Sequence, residues 1–239
     1  MILSVCIASF NGQEYVGEQV ESILASLKHS GVESWEILVS DDGSSDDTVE
    51  IVNNLGSSGV RLLPGPGQGL IKNFEHLLNN SSGEYIFLSD QDDVWSKNKV
   101  AQCLAELKDY DLLVSDATVV DADKHIISDS FFSSKGSGPG IIKNLYKNNY
   151  IGCCMCFRRS KLYEFNCLPF PDDIPMHDWW LGLKFELSGK VKFLHEPLVF
   201  YRRHGGNVSP SSDKSHYSLW QQIQWRWILI KNLLKRRGS

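Results

Sequence analysis

Residues 84–95 read EYIFLSDQDDVW, an apolar, β-prone run followed at once by the three carboxylates of Asp90, Asp92 and Asp93. This pattern predicts a buried strand that carries acids at its carboxyl end. In open α/β sheets that end is where ligands bind. Carboxylates so close together repel one another unless a cation joins them, and oxygen ligands favour Mg²⁺ or Mn²⁺. The alternative is a solvated acidic turn that caps a helix starting near Ser96.

The residues before this stretch alternate between strand and helix patterns. Apolar strand patterns cover residues 2–8, 35–40 and 60–63, and apolar residues at helical spacing follow each of them. The alternation predicts an α/β fold with a parallel, doubly wound sheet, whose connecting loops meet at one edge. Four polar loops fall at that edge: residues 8–11, 41–44, 69–73 and 90–93.

The loop at 41–44, Asp-Asp-Gly-Ser, is chemically suited to a nucleotide. Carboxylates accept hydrogen bonds from a ring imide and from ribose hydroxyls. Capping of the next helix by Ser44, Ser45 or Asp46 is the alternative interpretation, and both can hold at once.

The second half of the chain has a less regular pattern. A glycine-serine loop covers 133–140, and helices are expected at about 178–188 and from 217 to 235. No internal repeat or linker divides the chain, so we expect one domain over residues 1–215 and a C-terminal amphipathic helix over residues 216–239. Strand patterns cover residues 111–115, 117–120, 150–157, 191–194 and 198–201.

Composition limits the function classes. The chain has 239 residues, 42% of them hydrophobic, which is enough for one large α/β domain or two small ones. A net charge of -5 argues against a nucleic-acid partner. The six cysteines are expected to be buried free thiols of a reducing cytosol. Residues 1–7 lack the basic start of a signal peptide, and no apolar run approaches the ~20 residues of a membrane span, so a cytoplasmic location is expected.

Six motifs stand out along the chain: VCIASFNG at 5–12, ILVSDDGSSDDT at 37–48, Gly69 with Asn73, FLSDQDDVW at 87–95, MHDWWL at 176–181 and FYRRHGGNVS at 200–209. Together they resemble the family 2 inverting glycosyltransferases of the GT-A fold, and among them the bacterial rhamnosyltransferase-like members. The resemblance covers about 200 of the 239 residues. It implies a mostly parallel central sheet flanked by helices, with a nucleotide-binding half over residues 1–95 and an acceptor-side half over residues 96–215.

The resemblance also implies roles in the donor site. Asp41 or Asp42 binds the base and ribose, and Asp90 lies near the ribose or near the metal. Asp92 is the expected direct ligand of a Mg²⁺ or Mn²⁺ ion, and His204 lies near the diphosphate and completes the metal site. Further contacts to the nucleotide sugar are expected from Ala8, Ser9, Asn11 and Asn73.

On the acceptor side, Asp178 matches the acid that deprotonates the acceptor hydroxyl. Its position between apolar elements is expected to raise its pKa. The neighbouring Trp179 and Trp180 are expected to stack on sugar faces, with core packing as the alternative. Arg202 and Arg203 precede two glycines, and this basic loop is expected to neutralise the diphosphate and fold over the donor; an ordinary surface loop is the alternative.

The last helix carries an apolar, aromatic stripe beside basic residues. Such a helix is expected to lie on a membrane surface, where lipid-linked acceptors occur, or else to pack on the domain or on a second subunit as a homodimer contact. The processive members of the family carry Q-x-x-R-W, but Ile223 stands where the glutamine should precede Arg226 and Trp227, so a single transfer is expected. The stripe consists of Trp220, Ile223, Trp227, Ile230 and Leu234.

The predicted function is therefore inverting, metal-dependent transfer of a sugar, rhamnose being suggested by the resemblance, from a dTDP- or UDP-linked donor. The acceptor would be a hydroxyl of a glycan or lipid-linked precursor of the bacterial surface, reached in the cytoplasm or at the inner face of the membrane. A sugar-nucleotide pyrophosphorylase is one alternative, although the G-x-G-T-R-like loop of that class is replaced by residues 8–11. A non-catalytic nucleotide-sugar-binding module is the other, although Asp90, Asp92 and Asp178 are all present.

Overall fold

The structure is a computed structural model that describes residues 3–55, 59–205 and 217–236. Its strands are β1 (Leu3–Ser9), β2 (Trp35–Asp41), β3 (Val60–Pro64), β4 (Tyr85–Asp90), β5 (Val94–Trp95), β6 (Leu112–Val120), β7 (Ile126–Ser128), β8 (Met155–Arg158) and β9 (Val191–Arg202). Its helices are α1 (Val16–Ser30), α2 (Thr48–Asn54), α3 (Leu70–Asn80), α4 (Lys99–Glu106), α5 (Phe131–Lys135), α6 (Ile141–Tyr146), α7 (Ser160–Glu164), α8 (His177–Ser188) and α9 (Leu219–Lys235).

The described strands form a single sheet in the order β3-β2-β1-β4-β8-β6-β9-β5, with β7 beside β6. The first four strands pair in parallel, which confirms the α/β alternation predicted for the first half. Farther along, β8 runs antiparallel to both of its neighbours, while β6 and β9 pair in parallel. Six of the nine strands therefore point the same way, and the sheet is mixed beyond β4.

The second half corrects three sequence predictions. The two strands predicted at 111–115 and 117–120 merge into one strand, β6 (Leu112–Val120), and those predicted at 191–194 and 198–201 merge into one strand, β9. The interruptions in the pattern mark shifts of register between these two strands near Ser115 and Asp116. The predicted strand over 150–157 begins as a 3-10 turn, Gly152–Cys154, and only then enters β8.

The acid-rich stretch does not cap a helix. The two-residue strand β5 pairs with β9 through Val94 and Phe200, so the chain re-enters the sheet immediately after the acids. Helix α4 begins at Lys99, and the residue before it, Asn98, makes no side-chain cap. The acids therefore lie between the two strands β4 and β5 and do not cap a helix.

The core lies on both faces of the sheet, since every residue of β1 is buried. All six cysteines are free and buried, as expected from the sequence. Within residues 3–55, 59–205 and 217–236, no helix combines the length and apolarity needed to cross a bilayer.

Helix α9 packs on the domain with one face only. Leu229, Asn232 and Leu233 are buried, and the Asn232 amide donates to Asp173 Oδ1 over 2.8 Å. The stripe that the sequence singled out lies on the opposite side, and four of its five members are exposed: Trp220, Ile223, Trp227 and Leu234. Helix α9 therefore packs on its own domain through the face opposite this stripe.

Candidate active site

The carboxyl ends of three parallel strands meet at one edge of the sheet. Ala8 is in register with Ser40 of β2 and with Asp90 of β4, and Ser9 is in register with Asp41. The register therefore brings the polar loops after β1, β2 and β4 side by side, as the sequence predicts.

The loop after β2 is organised by its own two carboxylates. Asp41 accepts hydrogen bonds from the backbone N–H groups of Gly43 and Ser44, at 3.2 and 2.9 Å. Asp42 accepts from the N–H groups of Gly67 and Gly69, both at 2.7 Å, and so ties the glycine-rich loop before α3 to the same edge. Both acids thus arrange backbone around a shared opening.

Two asparagines predicted in the donor site have different surroundings. Asn11 adopts a positive φ of 48°, and its side-chain oxygen accepts from Ser45 N–H at 2.9 Å, which joins the first two loops. Asn73 is buried, and its amide donates to Ser40 O at 2.9 Å. Asn11 lies at the edge of the sheet, and Asn73 supports β2 through its amide nitrogen. Within the described residues the side-chain oxygen of Asn73 has no hydrogen-bond partner, and its contact to the nucleotide sugar stays a prediction.

Gln91 joins the acid-rich stretch to the end of β1. Its side-chain oxygen accepts from Ser9 Oγ at 3.0 Å and from Phe10 N–H at 2.9 Å, and its amide donates back to Phe10 O at 3.0 Å. The sequence analysis missed this role, because a glutamine between aspartates carries no local signal for a partner 81 residues away.

Asp90 and Asp93 are crowded carboxyl groups. Burial, then the charges of Asp92 and Asp178, raise the pKa of Asp90 to about 8. Asp93 is fully buried, and burial followed by Asp92 and Asp90 raises its pKa well above the ordinary value. Its Oδ1 accepts from Arg202 N–H at 3.0 Å. Because burial and mutual repulsion make the ionised forms of these carboxyl groups unfavourable, a cation bound beside them would stabilise the ionised forms.

Two groups of side chains near this point fit a divalent cation to different degrees. Ligand atoms of Asp90, Asp93 and Cys153 lie within 4.8 Å of one another. A thiol, however, is a poor ligand for a hard cation, and Asp93 is closed off from solvent. The Asp92 carboxylate faces the His204 ring at 2.9 Å, with both side chains slightly exposed. The pair Asp92 and His204 therefore offers more suitable ligands for a Mg²⁺ or Mn²⁺ ion, whereas Asp90 is grouped with Asp93 and Cys153.

A buried lysine offsets part of this charge. Lys99 is fully buried, and its ammonium group donates to Cys153 O at 2.8 Å and lies 4.5 Å from the centre of the Trp95 ring. Its positive charge lowers the pKa of Asp90 and so opposes the effect of burial. The sequence did not single out this residue, since a lysine at the start of a helix is ordinarily solvated.

Arg202 is a structural clamp and not the predicted diphosphate contact. Its guanidinium donates to Asp92 O at 2.8 Å, to Ala122 O at 2.8 Å and to Glu18 Oε2 at 2.6 Å. The side chain is almost fully buried. These bonds engage all three guanidinium nitrogens, so the prediction that Arg202 reaches the donor is corrected.

Arg203 lies at the end of the same strand. Its N–H donates to Val120 O at 2.8 Å, and its guanidinium is 5.9 Å from the centre of the Tyr201 ring. The structure leaves it half-buried beside His204, where a role toward the diphosphate stays a prediction. Of the predicted basic loop, Gly206 and residues 207–209 lie outside the described residues.

Asp178 lies at the first turn of α8, in the second half of the chain, and faces the acid-rich stretch. Its Oδ1 accepts from Asn148 at 3.2 Å and from Trp179 N–H at 2.5 Å. Burial raises its pKa to about 6, although the hydrogen bonds from Asn148 and from backbone N–H groups act in the opposite direction. Asn148, which the sequence analysis missed, orients this carboxylate.

The residue before it, His177, is also buried. Burial lowers its pKa to about 3, so the ring is neutral, and it stacks on Phe74 with ring centres 4.0 Å apart. Within the described part of the chain neither ring nitrogen has a hydrogen-bond partner. A Cβ at Gly152 would lie 2.9 Å from His177 Nε2, which explains why a glycine is required in the turn beside α8.

The two tryptophans after Asp178 are core residues. The indole N–H of Trp179 donates to Asn144 O at 2.6 Å, and that of Trp180 donates to Cys167 O at 2.9 Å. Trp180 is fully buried and Trp179 nearly so. Stacking of Trp180 on a sugar is therefore wrong, and Trp179 has little ring surface to offer.

The candidate site thus combines acids at the carboxyl ends of parallel strands with a buried carboxylate, Asp178, at the start of α8. The chain belongs to glycosyl transferase family 2, whose family model matches residues 4–165. Members of that family share the GT-A fold, and the mixed sheet described above is that fold.

The relatives and structural neighbours agree with this assignment. The chain is 26% identical over 249 residues to the dTDP-rhamnosyl transferase RfbG of Shigella flexneri, covering 92% of this chain and 80% of the relative. It is 24% identical over 238 residues to the Escherichia coli glucosyltransferase WfgD, described as UDP-Glc:alpha-D-GlcNAc-diphosphoundecaprenol beta-1,3-glucosyltransferase, covering 98% and 87%. An uncharacterized protein of Mycobacterium tuberculosis is 24% identical over 233 residues, and the chain spans only 64% of its length.

Among solved structures, Staphylococcus aureus TarS in complex with UDP-GlcNAc superposes with a TM-score of 0.70 at 20% identity, covering 97% of this chain and 67% of TarS. The mannosyltransferase PcManGT of Pyrobaculum calidifontis, in complex with GDP-Man and Mn²⁺, superposes with a TM-score of 0.63 at 16% identity, covering 96% and 64%. At these identities the likeness establishes the fold.

Proposed function

We propose that this chain transfers a sugar from a nucleotide-diphosphate donor to an acceptor hydroxyl, with inversion at the anomeric carbon. The observation that carries the proposal is the placement of Asp178. Its charge acts on Asp90, and burial brings its own pKa to about 6. A base with such a pKa is ionised at neutral pH yet still accepts a proton well.

The reaction is a single displacement. The acceptor oxygen attacks the anomeric carbon from the face opposite the diphosphate, and its proton passes to the Asp178 carboxylate. The bond between the anomeric carbon and the diphosphate oxygen breaks, and the nucleoside diphosphate leaves with that electron pair. Attack from the opposite face gives an inverted anomer. Asn148 and Trp179 N–H hold the carboxylate in place for this step.

The donor would lie along the loops after β1 and β2, with the base and ribose near Asp41. We take the donor to be a dTDP- or UDP-sugar, with dTDP-rhamnose as the first to test, because RfbG is a dTDP-rhamnosyl transferase and WfgD uses UDP-Glc. A divalent cation held by Asp92, His204 and Asp90 would stabilise the charge that grows on the diphosphate. The structural neighbour PcManGT was solved in complex with GDP-Man and Mn²⁺, which supports a metal here.

The acceptor would be a glycan or a lipid-linked glycan precursor of the bacterial envelope, in the cytoplasm or at the inner face of the membrane. The relative WfgD acts on a diphosphoundecaprenol-linked sugar, which supports the lipid-linked form. A single transfer for each encounter is proposed, because Ile223 replaces the glutamine of the processive signature. The match to family 2 argues against a pyrophosphorylase, and the intact acids argue against a non-catalytic module.

Thermal denaturation tests the donor and the metal together. A ligand that binds only the native state raises the melting temperature. We expect dTDP- or UDP-sugars to raise it in the presence of Mn²⁺, and EDTA or Asp92→Asn to abolish most transfer with the fold intact. Asp109→Asn, at an exposed position between α4 and β6, is the matched control. Full transfer activity in Asp92→Asn or after exhaustive EDTA treatment would exclude the metal-dependent scheme, and a retained anomer in the product would exclude single displacement.

A further inference from the structure

The largest unexplained feature outside the cleft is an exposed apolar and aromatic surface formed by α6 and α9. On α9, Trp220 is 68% exposed and Trp227 is 66% exposed. On α6, Ile142 is 82% exposed and Tyr146 is 73% exposed. Large apolar side chains at such exposures are ordinary when scattered, but a group of them marks a contact surface.

The two helices form one surface because Arg226 joins them. Its guanidinium donates to Tyr146 O, at 2.9 Å from Nε, and lies 5.2 Å from the centre of the Tyr146 ring. The exposed stripe of α9 and the exposed turn of α6 are therefore adjacent. We call this the α6–α9 face; its apolar members are Ile142, Tyr146, Trp220, Ile223 and Trp227.

Charge distinguishes the possible occupants of the α6–α9 face. Residues 140–149 and 217–239 contain no aspartate or glutamate, in a chain whose net charge is -5. On α9, Lys231 and Lys235 are exposed and, at 3.6 residues per turn, lie on the same side as Trp220 and Trp227. Lys143 on α6 and Lys147, directly after this helix, are exposed. A basic rim around aromatic side chains complements an anionic bilayer surface, where tryptophan and tyrosine sit at headgroup level.

We propose that the α6–α9 face docks the protein on an anionic lipid surface and so presents the candidate base to a lipid-borne acceptor. The route from the face to the base is short. Asn148 follows Tyr146 by two residues and donates to Asp178 Oδ1 at 3.2 Å. Asn144, on the inner side of α6, accepts through its backbone oxygen from Trp179, the neighbour of Asp178. This inference rests on the proposed transfer reaction for the identity of the acceptor but not for the binding of lipid.

Sedimentation of the full chain with vesicles tests the proposal. The probes are vesicles of equal parts phosphatidylglycerol and phosphatidylcholine, compared with phosphatidylcholine alone. We expect binding to the anionic vesicles that weakens as salt is added, since screening acts on the basic rim. Lys143→Gln with Lys147→Gln is expected to weaken binding about fivefold for each lysine. Lys108→Gln with Lys190→Gln, two exposed lysines elsewhere, is the charge control.

Matched variants also test the contribution of the exposed apolar side chains of the α6–α9 face to vesicle binding. Trp220→Ser with Trp227→Ser is expected to remove most vesicle binding, whereas Ile126→Ser with Ile127→Ser, equally exposed residues of β7, is expected to leave it unchanged. In the unmodified protein, brominated lipids are expected to quench tryptophan fluorescence, and that measurement does not depend on any variant folding.

The outcomes separate this proposal from the transfer reaction. Absence of binding to anionic vesicles, or binding that survives Trp220→Ser with Trp227→Ser, overturns the docking proposal while donor-induced stabilisation leaves the transferase intact. A dimer that the same double variant dissociates, with no vesicle binding, overturns it in favour of self-association. Vesicle binding without any effect of nucleotide sugars on the melting temperature supports docking and counts against the proposed transfer reaction.

Discussion

Asp178 combines two opposing requirements, because the burial that makes it a suitable base also makes its charged form unfavourable in the native state. We expect Asp178→Asn to keep donor binding and to lower turnover about 10²–10⁴-fold, since an amide cannot take the acceptor proton. The same change is expected to increase the free energy of unfolding at pH 8 by about 1–3 kcal/mol. The amide oxygen can still accept from Asn148 and from Trp179 N–H, while no charge is buried.

Titration calorimetry with the donor nucleotide, turnover assays and scanning calorimetry measure the three effects. Loss of donor affinity with surviving turnover would place Asp178 in the donor site. A lower melting temperature would mean that the ionised carboxylate is stabilised by the fold, contrary to the burial argument.

The pH dependence of transfer follows from the same group. Burial raises the pKa of Asp178 to about 6, so the carboxyl is protonated and inactive as a base below that pH. We expect kcat/KM to rise about tenfold per pH unit up to about pH 6 and then to level off. For stability the sign is opposite: the native state holds a proton that the unfolded chain, with a pKa of about 3.9, has released. The contribution of Asp178 to stability therefore decreases as pH rises from about 4 to 6. A kcat/KM that falls with pH across this range would contradict the assignment of Asp178 as base.

At the level of elements, β9 holds the acid-rich stretch in place through Arg202. The backbone N–H of Arg202 donates to Asp93, and its side chain reaches Asp92 O and Glu18 of α1. Arg202→Met is expected to destabilise the fold by about 2–4 kcal/mol, because it leaves several acceptors around a buried position without donors. Arg203→Met, the neighbouring residue on the same strand, is the control and is expected to change stability by less than about 1 kcal/mol. Urea denaturation measures both, and unchanged stability in Arg202→Met together with a raised KM for the donor would restore the diphosphate role that the sequence predicted.

These elements also show which parts of the fold could be predicted from the sequence and which could not. The strands β1, β2 and β4 were predictable, because each is an uninterrupted apolar run and each ends in polar residues that parallel pairing brings to one edge. The 3-10 turn within the apolar run at 150–157 could not be predicted, because a buried 3-10 turn and a buried strand have the same hydrophobicity. Arg202 was misassigned for a related reason: local basic charge is visible in a sequence, whereas its partner Glu18 lies 184 residues away.

At the level of the whole molecule, the division into a nucleotide-binding half and an acceptor-side half does not correspond to two separable units. The sheet is continuous across it: β4 of the first half pairs with β8 of the second, and β5 pairs with β9. The candidate site is built across this junction, with Asp90 on one side and Asp178 on the other. A chain ending at residue 95 would expose the edge of β4, which carries buried Phe87 in register with Cys156.

We therefore expect residues 1–215 to unfold as one cooperative unit. Scanning calorimetry should give a single transition in which the calorimetric enthalpy equals the van't Hoff enthalpy. A donor that binds in the first half should shift that whole transition, because no part of the sheet melts alone. Arg202→Met should lower the same single transition without splitting it, because Arg202 joins β9 to the loops after β4 and β6 and to Glu18 of α1, which belong to both halves. Two transitions, one of them shifted by nucleotide and the other not, would show instead that the halves fold separately and that the acids and the base come together only when the halves dock.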